Sequence, residues 1–212
     1  MITIMKSSNV IKALHAWKVM ASELQSDIDR FSSNHWFLIF LGTKGIWVCT
    51  QYRVSRWIHY YAHAPIIRQI LKILCFFWQK LIESITGAEV PNRAKIGKGL
   101  LINHTNGVVI HVDAIIGEYC NIGHQVTIGI GGRGEKCGVP KIGNRVFIGP
   151  GAKIFGAISI GNDVAIGANS VVTKDIPDNA IAVGIPAKVI SYRGSREIIN
   201  LREKIEHQEH EF

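Results

Sequence analysis

Two hydrophobic rhythms divide the chain. Before residue 88 apolar positions recur at three- and four-residue steps. The clearest run is Ile66, Ile67, Ile70, Leu71, Leu74, Trp78, Leu81, Ile82 and Ile85, the period of one helix face. Pro65 suits a first helical position and Gly87 a position just past the end, so the spacing predicts a helix over 65–85. Residues 9–25 read as another helix, and 45–62, with Tyr52, Arg53 and Trp57, as a third. Beyond residue 88 the step is six. Ile142, Ile148, Ile154, Ile160, Ile166 and Val172 follow one another without a miss, and Gly143, Gly149, Gly161 and Gly167 come directly after four of them. Ile110, Ile116, Ile122 and Ile128 form a second run, and Val90, Ile96 and Ile102 a third.

Period six is neither a helix nor a simple alternating strand. It asks for short strands joined by tight corners, each offering one aliphatic side chain inward, with small residues, Asn or Asp where the backbone is crowded or φ is positive. A parallel β-helix meets these demands. With three hexads to a coil, residue i stacks on i+18, so Ile142 should lie on Ile160, Ile148 on Ile166 and Ile154 on Val172. The register slips twice. Eight residues separate Ile102 from Ile110, with the extra pair inside Asn103–Gly107, and fourteen separate Ile128 from Ile142, which loops out roughly Gly131 to Pro140. A regular solenoid needs neither break, and loops carry function more often than ladders do. Polar groups collect at both: His104 at the first, Arg133, Glu135 and Lys136 at the second.

Composition sharpens the division. All five tryptophans precede residue 88, while 17 of the 21 glycines lie between 89 and 190. The resulting organisation is an α-helical N-terminal region, 1–88, a β-helix over 89–190, and a polar tail, 191–212. Of the formal net charge of +8, +6 falls in the first region. Its cations are scattered rather than gathered in a basic run with interleaved aromatics, which argues against nucleic acid. The greasy run Ile73–Trp78, flanked by Arg68, Lys72 and Lys80, has two readings. One is packing between helices and against the rest of the protein. The other is peripheral membrane contact through residues 65–85. The four cysteines form no CxxC pair and have no metal-ligand spacing, which fits a reducing compartment and no structural metal. The opening MITIMKSSNV lacks the apolar core of a signal peptide. The expectation is a cytoplasmic protein, with contact at the inner membrane face as the variant. Gly129 to Gly134 matches G-x-G-x-x-G, but hexads on both sides leave no room for the helix a dinucleotide site requires.

The run LGTKGIWVCTQYRVSRW, the segment GAEVPNRAKIGKGLLINHTNGVVI and the closing stretches IGPGAKIFGAISIGNDVAIGANSVVTKDIP and AVGIPAKVI resemble the hexapeptide-repeat acyltransferases, and within them the serine acetyltransferases, over roughly residues 27–190. The resemblance implies a left-handed β-helix, an exception to the usual right-handed crossover. It implies a homotrimer or dimer of trimers with sites between subunits, and acetyl-CoA as donor with no metal. Moving an acetyl group from a thioester to a hydroxyl needs a base at that hydroxyl, a role suited to histidine at neutral pH. It also needs a group to hold the ring in one tautomer. The resemblance puts His104 in the first role and Glu89, where the family has an aspartate, in the second. It places the pantetheine arm along the coils near Gly132, Pro150 and Ala168, with Lys188 toward a phosphate.

Three positions depart from the family. Asn103 stands where it has an aspartate, and Gly138-Val139 stand where it has Arg-His before Pro140. Those family side chains grip the ammonium and carboxylate of the amino acid. Asn103, His124 and Arg133 are the acceptor-binding candidates that remain, with His124 either touching the acceptor or simply filling a corner. The GHQVTIG segment also resembles acetyltransferases of surface-polysaccharide synthesis, whose sugar acceptors need the same base but no charge clamp. The alternatives are therefore serine, a sugar hydroxyl, or, in a different class, a non-catalytic β-helix scaffold.

Overall fold

A computed structural model describes residues 2–31, 42–62, 65–134 and 137–199. Glu135, Lys136 and the tail from residue 200 therefore lie outside the described residues. Three helices come first: α1 (Ile2–Ile28), α2 (Lys44–Tyr61) and α3 (Pro65–Thr86). A left-handed parallel β-helix follows. Its first face stacks Glu89, Val109–Ile110, Thr127–Gly129, Lys153–Phe155 and Val171–Val172. The second stacks Lys95–Ile96, Ile115–Ile116, Lys141–Ile142, Ser159–Ile160 and Ile176. The third stacks Leu101, Asn121–Ile122, Phe147–Ile148, Ala165–Ile166 and Ile181–Gly184, and is closed by an antiparallel strand, Ala187–Ser191.

Successive strand residues face opposite sides, so the second residue of each two-residue rung turns inward. Ile128, Ile148, Ile154, Ile166 and Val172 are fully enclosed. Ile142 pairs with Ile160, Ile148 with Ile166 and Ile154 with Val172, the eighteen-residue stacking read from the sequence. Both slips are present as well. Lys95 pairs with Ile115, twenty residues on, and Ile115 with Lys141, twenty-six on. A third slip was not anticipated: Ala165 pairs with Ile181, only sixteen residues on. The last coil is shortened around Pro177, where Asp175 and Asp178 accept backbone hydrogen bonds from Ser159 and Asn162 at 2.8 and 2.7 Å.

Corner chemistry also differs from expectation. Positive φ falls at Gly99, Tyr119, Arg145, Asp163 and Asn179 on one edge and at Gly107, Gln125, Gly151 and Asn169 on the next. Tyr119, Gln125 and Arg145 are neither small nor Asn or Asp. Each accepts a left-handed strain of about 1 kcal/mol because its amide bonds to the coil below, Tyr119 N–H to Lys98 O at 2.8 Å for example. Beside this edge runs a side-chain ladder: Asn144, Asn162 and Asp178 each accept a backbone N–H from the preceding coil at 2.7–2.9 Å.

A buried polar clamp attaches the helices. The Arg53 guanidinium binds both oxygens of Asp27 at 2.8 and 3.0 Å and donates to Ile96 O and Gly97 O at 2.8 and 2.6 Å. Asp27 in turn accepts from Leu100 N at 2.8 Å. Burial pushes the Asp27 carboxyl up from its ordinary value against the pull of Arg53. The Tyr52 hydroxyl donates to Ala94 O and accepts from Ile96 N. At Gly45 a side chain would run into the carbonyl of Ile102. The tyrosine-arginine pair and glycine of the N-terminal segment thus dock α2 on the first coil.

Helix α3 packs on one side only. Cys75 and Ile82 face the protein, yet Ile66, Ile67, Ile70, Ile73, Leu74, Phe77, Leu81 and Ile85 stand exposed along the other side, Ile66 at 77%. The helix is more apolar than one contact face needs, and α2 with the first coil covers only the Cys75–Ile82 side. No helix among the described residues is long and apolar enough to cross a membrane.

Candidate active site

The first register slip makes a bulge at Thr105–Asn106. Up to His104 the third face keeps the twenty-residue offset set by Leu101 and Asn121. By Gly107 the offset is eighteen, and Gly107 shares its left-handed conformation with Gln125. The end of α3 holds the bulge in place. Thr105 Oγ1 donates to Thr86 O and Gly107 N to Gly87 O, both at 2.8 Å, and Gln125 N donates to Asn106 O at 2.8 Å. Gly87, at φ +68°, has Asn106 Oδ1 2.7 Å from where a Cβ would be. Pinned in this way, the bulge leaves the His104 side chain exposed.

Carrying the offsets upward puts His104, His124, Pro150, Ala168 and Gly184 in one column along a prism edge. The two imidazoles meet edge to face, ring centres 6.0 Å apart. Beside the column run Asn103, Gly123, Gly149 and Gly167. A Cβ on Gly123 would lie 2.6 Å from Pro150 N, and one on Gly149 2.6 Å from Ala168 N. Only glycine lets these corners stack, and the edge above the histidines is consequently narrow and built of small residues. This is a surface along which a thin, extended ligand can lie.

Four of the residues singled out from the sequence, His104, His124, Pro150 and Ala168, come together on this column, with Asn103 half-buried at its foot. Lys188 lies beyond its top, exposed, on the strand whose Ala187 pairs with Gly184. Glu89 sits on the first face, its backbone bonded to Val108 and Ile110. Its exposed carboxylate makes no hydrogen bond to His104, an arrangement that substrate binding would have to tighten if the pair is to work together. Gly132, at φ +88°, and Arg133 are exposed in a hairpin closed by Gly131 and Gly138, which exchange hydrogen bonds of 3.0 and 2.9 Å. Val139 packs against the core, and a Cβ on Gly138 would lie 2.8 Å from that of Ala157. The positions where the resembled family carries Arg-His are thus filled or closed. Cys120 is fully buried, and burial pushes its thiol up to about 11, which suits a core residue rather than a nucleophile. No cluster of His, Cys, Asp or Glu among the described residues is arranged to hold a metal.

The ring contact between His104 and His124 lies beyond the sequence reading above, although the sequence carries a signal for it. Asn-His, Gly-His, Gly-Pro and Gly-Ala recur at 103, 123, 149 and 167, and adding the slips to the eighteen-residue period aligns them.

Residues 140–174 match the family described as bacterial transferase hexapeptide (six repeats). A serine acetyltransferase of Helicobacter pylori is 40% identical over 163 residues, 77% of this chain and 90% of that protein. One from Synechococcus elongatus is 39% identical over 160 residues, 74% of this chain, which spans only 62% of that longer relative. Among solved structures, a serine acetyltransferase of Brucella abortus in complex with coenzyme A superimposes with a TM-score of 0.69 at 30% identity, covering 88% of this chain and 74% of that one.

Proposed function

The chain belongs to the serine acetyltransferase family, and from that premise we propose that it transfers an acetyl group from acetyl-CoA to the hydroxyl of serine, with His104 as general base. The observation that carries the reading is the exposed His104 at the foot of the small-residue edge. In this reading the coenzyme lies along Pro150 and Ala168, with its thioester toward the histidines and Lys188 toward a phosphate. Gly132 approaches the pantetheine arm from the hairpin, and Glu89 turns toward the His104 ring to fix its tautomer. An alcohol is a weak nucleophile while protonated, so removing its proton in the transition state is the main task left to the protein. Thiol release from acetyl-CoA with serine present tests the assignment. His104→Ala should cost about 100- to 10,000-fold in kcat while the coil still melts cooperatively. Full activity in a folded variant would overturn the reading, and no thiol release with any hydroxyl acceptor would favour a scaffold.

A second acceptor reading rests on Asn103, Gly138 and Val139. With Val139 turned to the core and Gly138 closed by Ala157, neither supplies a charge for an amino acid's carboxylate. Arg133 could do so only by folding its hairpin over the site. A sugar hydroxyl would need only neutral partners such as Asn103 and His124. Comparing kcat/KM for serine with that for acetylatable saccharides decides between them. Assembly as a homotrimer or dimer of trimers belongs to the same proposal, supported by the exposed Ile130, Ile185 and Ile190 on the coil, and sedimentation tests it. A cytoplasmic location belongs to it too, with contact at the inner membrane face as the variant that the outward stripe of α3 supports and that flotation with anionic vesicles tests.

A further inference from the structure

His124 is the one polar side chain on the column above His104, since the next positions are Pro150, Ala168 and Gly184. The fold does not call for a histidine here. The backbone carbonyl of residue 124 accepts from Gly151 N at 2.8 Å, which any residue would provide. The half-buried ring makes no hydrogen bond of its own, and its contact is the edge-to-face approach to His104.

We propose that His124 is a second catalytic residue, donating a hydrogen bond to the carbonyl oxygen of the acetyl group as it is transferred. The proposal rests on the reading of His104 as base and acetyl-CoA as donor. An acceptor hydroxyl must lie against His104, and a donor stretched along the edge reaches that hydroxyl at the level of His124. In the forward step the hydroxyl proton passes to a ring nitrogen of His104. The hydroxyl oxygen forms a bond to the carbonyl carbon, and the π pair moves onto the carbonyl oxygen, which accepts from the His124 N–H. When the C=O reforms, the C–S bond breaks and the sulfur leaves with the proton returned by His104. Charge keeps the roles apart. His104 becomes cationic in the first half of the step, which disfavours a second cation 6.0 Å away. The Lys153 ammonium, bound to Gln125 O and Thr127 Oγ1, adds to the same field. The step asks of His124 only one ring N–H turned toward the carbonyl oxygen. A donor aimed at the developing oxyanion contributes in the transition state rather than in the ground state.

The test uses the full chain with His124→Phe, which keeps an aromatic ring but no donor, and His124→Gln, which keeps an N–H. Initial rates of thiol release at saturating acceptor and acetyl-CoA give kcat, acceptor titration gives KM, and calorimetry gives the affinity for CoA itself. The expected result is a loss of about 100-fold in kcat for His124→Phe, with KM and CoA affinity within twofold of the parent and most of the loss recovered in His124→Gln. If His124→Phe does not fold, His124→Ala takes its place. A rise confined to acceptor KM would make His124 a binding residue, and unchanged kcat would make it a corner residue. Either outcome overturns the proposal. If His104→Ala is itself active, the underlying assignment fails instead.

Discussion

The helical layer and the coil are held by opposite means. Inside the coil, Ile, Val and Ala stack in columns, every rung repeats the one below, and no single contact places the next. Between the helices and the coil, position depends on a few directional bonds: Arg53 of α2 to Asp27 of α1 and to Ile96 and Gly97, and Tyr52 to Ala94 and Ile96. A periodic core tolerates slips of two or eight residues because the ladder resumes its register afterwards. A helix laid on a solenoid has no period to match, so its seat must be specified by atoms that fit only one way.

The sharpest way to break the coil is to put charge on its axis. Ile154 is fully enclosed between Ile128 and Val172. Ile154→Asp should prevent folding, since an unpaired buried carboxylate costs several kcal/mol, comparable with a whole domain's stability of roughly 5–15 kcal/mol. A soluble variant with a cooperative melt would show the columns to be more forgiving than described. Arg53→Ala attacks the other kind of joint. It leaves Asp27, 0% exposed, without its counter-charge, at an expected cost of about 3–5 kcal/mol. Hydrogen exchange should then show α2 amides opening before those of the coil. Arg53→Met with Asp27→Leu should recover only part of the loss, because Ile96 O, Gly97 O and Leu100 N lose partners as well. Simultaneous loss of both layers would mean that the clamp is part of one core.

A smaller effect tests a polar joint on the coil itself. Asp163 binds Arg145 through both oxygens at 2.7 and 2.6 Å and Arg196 at 3.3 Å, while Ser195 Oγ donates to Arg145 O at 2.5 Å. Hydrogen bonding to Arg145 holds the Asp163 carboxyl below its ordinary value, with Arg196 adding to this. A lowered folded value means that the contribution is complete above the ordinary aspartate value near 4 and is lost as pH falls through the lowered one. Thermal melts below about pH 4 should therefore show extra destabilisation that Asp163→Asn abolishes. If the variant keeps the same acid sensitivity, the Gly194–Arg196 segment is held otherwise. The smallest expected change is at the acceptor. Asn103→Asp should lower the KM for serine by about tenfold, the worth of one charge-assisted hydrogen bond of ~1.4 kcal/mol, as steady-state kinetics would show. Gly138→Arg should instead destabilise, because its Cβ meets Ala157.

The coil was legible in the sequence because it is a sum of repeats: six-residue spacing gave the inward Ile positions and both insertions, of two and eight residues. The shortened last coil was not, since the step from Val172 to Ile176 ends a run and nothing after it restores the count. Helix α3 was legible as a helix, but not which side it presents, because an apolar stripe reads the same whether covered or bare. His104 was singled out by its place in a slip, whereas its contact with His124 needed the offset between coils. Glu89 shows the reverse limit. Its spacing matches a family position, yet spacing fixes a backbone rung and not the rotamer of an exposed carboxylate.

A stack of parallel rungs has no natural last member. Its terminal N–H and C=O groups are a template on which another stack can grow, the geometry from which fibrils are built. Here the first coil's free groups at Ile96 are taken by Tyr52 and Arg53, and beyond the last coil the strand reverses, Ala187–Ser191 running antiparallel to Ile181–Gly184. The residues that seat α2 thus also act as a stopper against end-to-end polymerisation. A chain loosened at Arg53 should be at risk of elongation, one molecule reading the next as a further turn of itself.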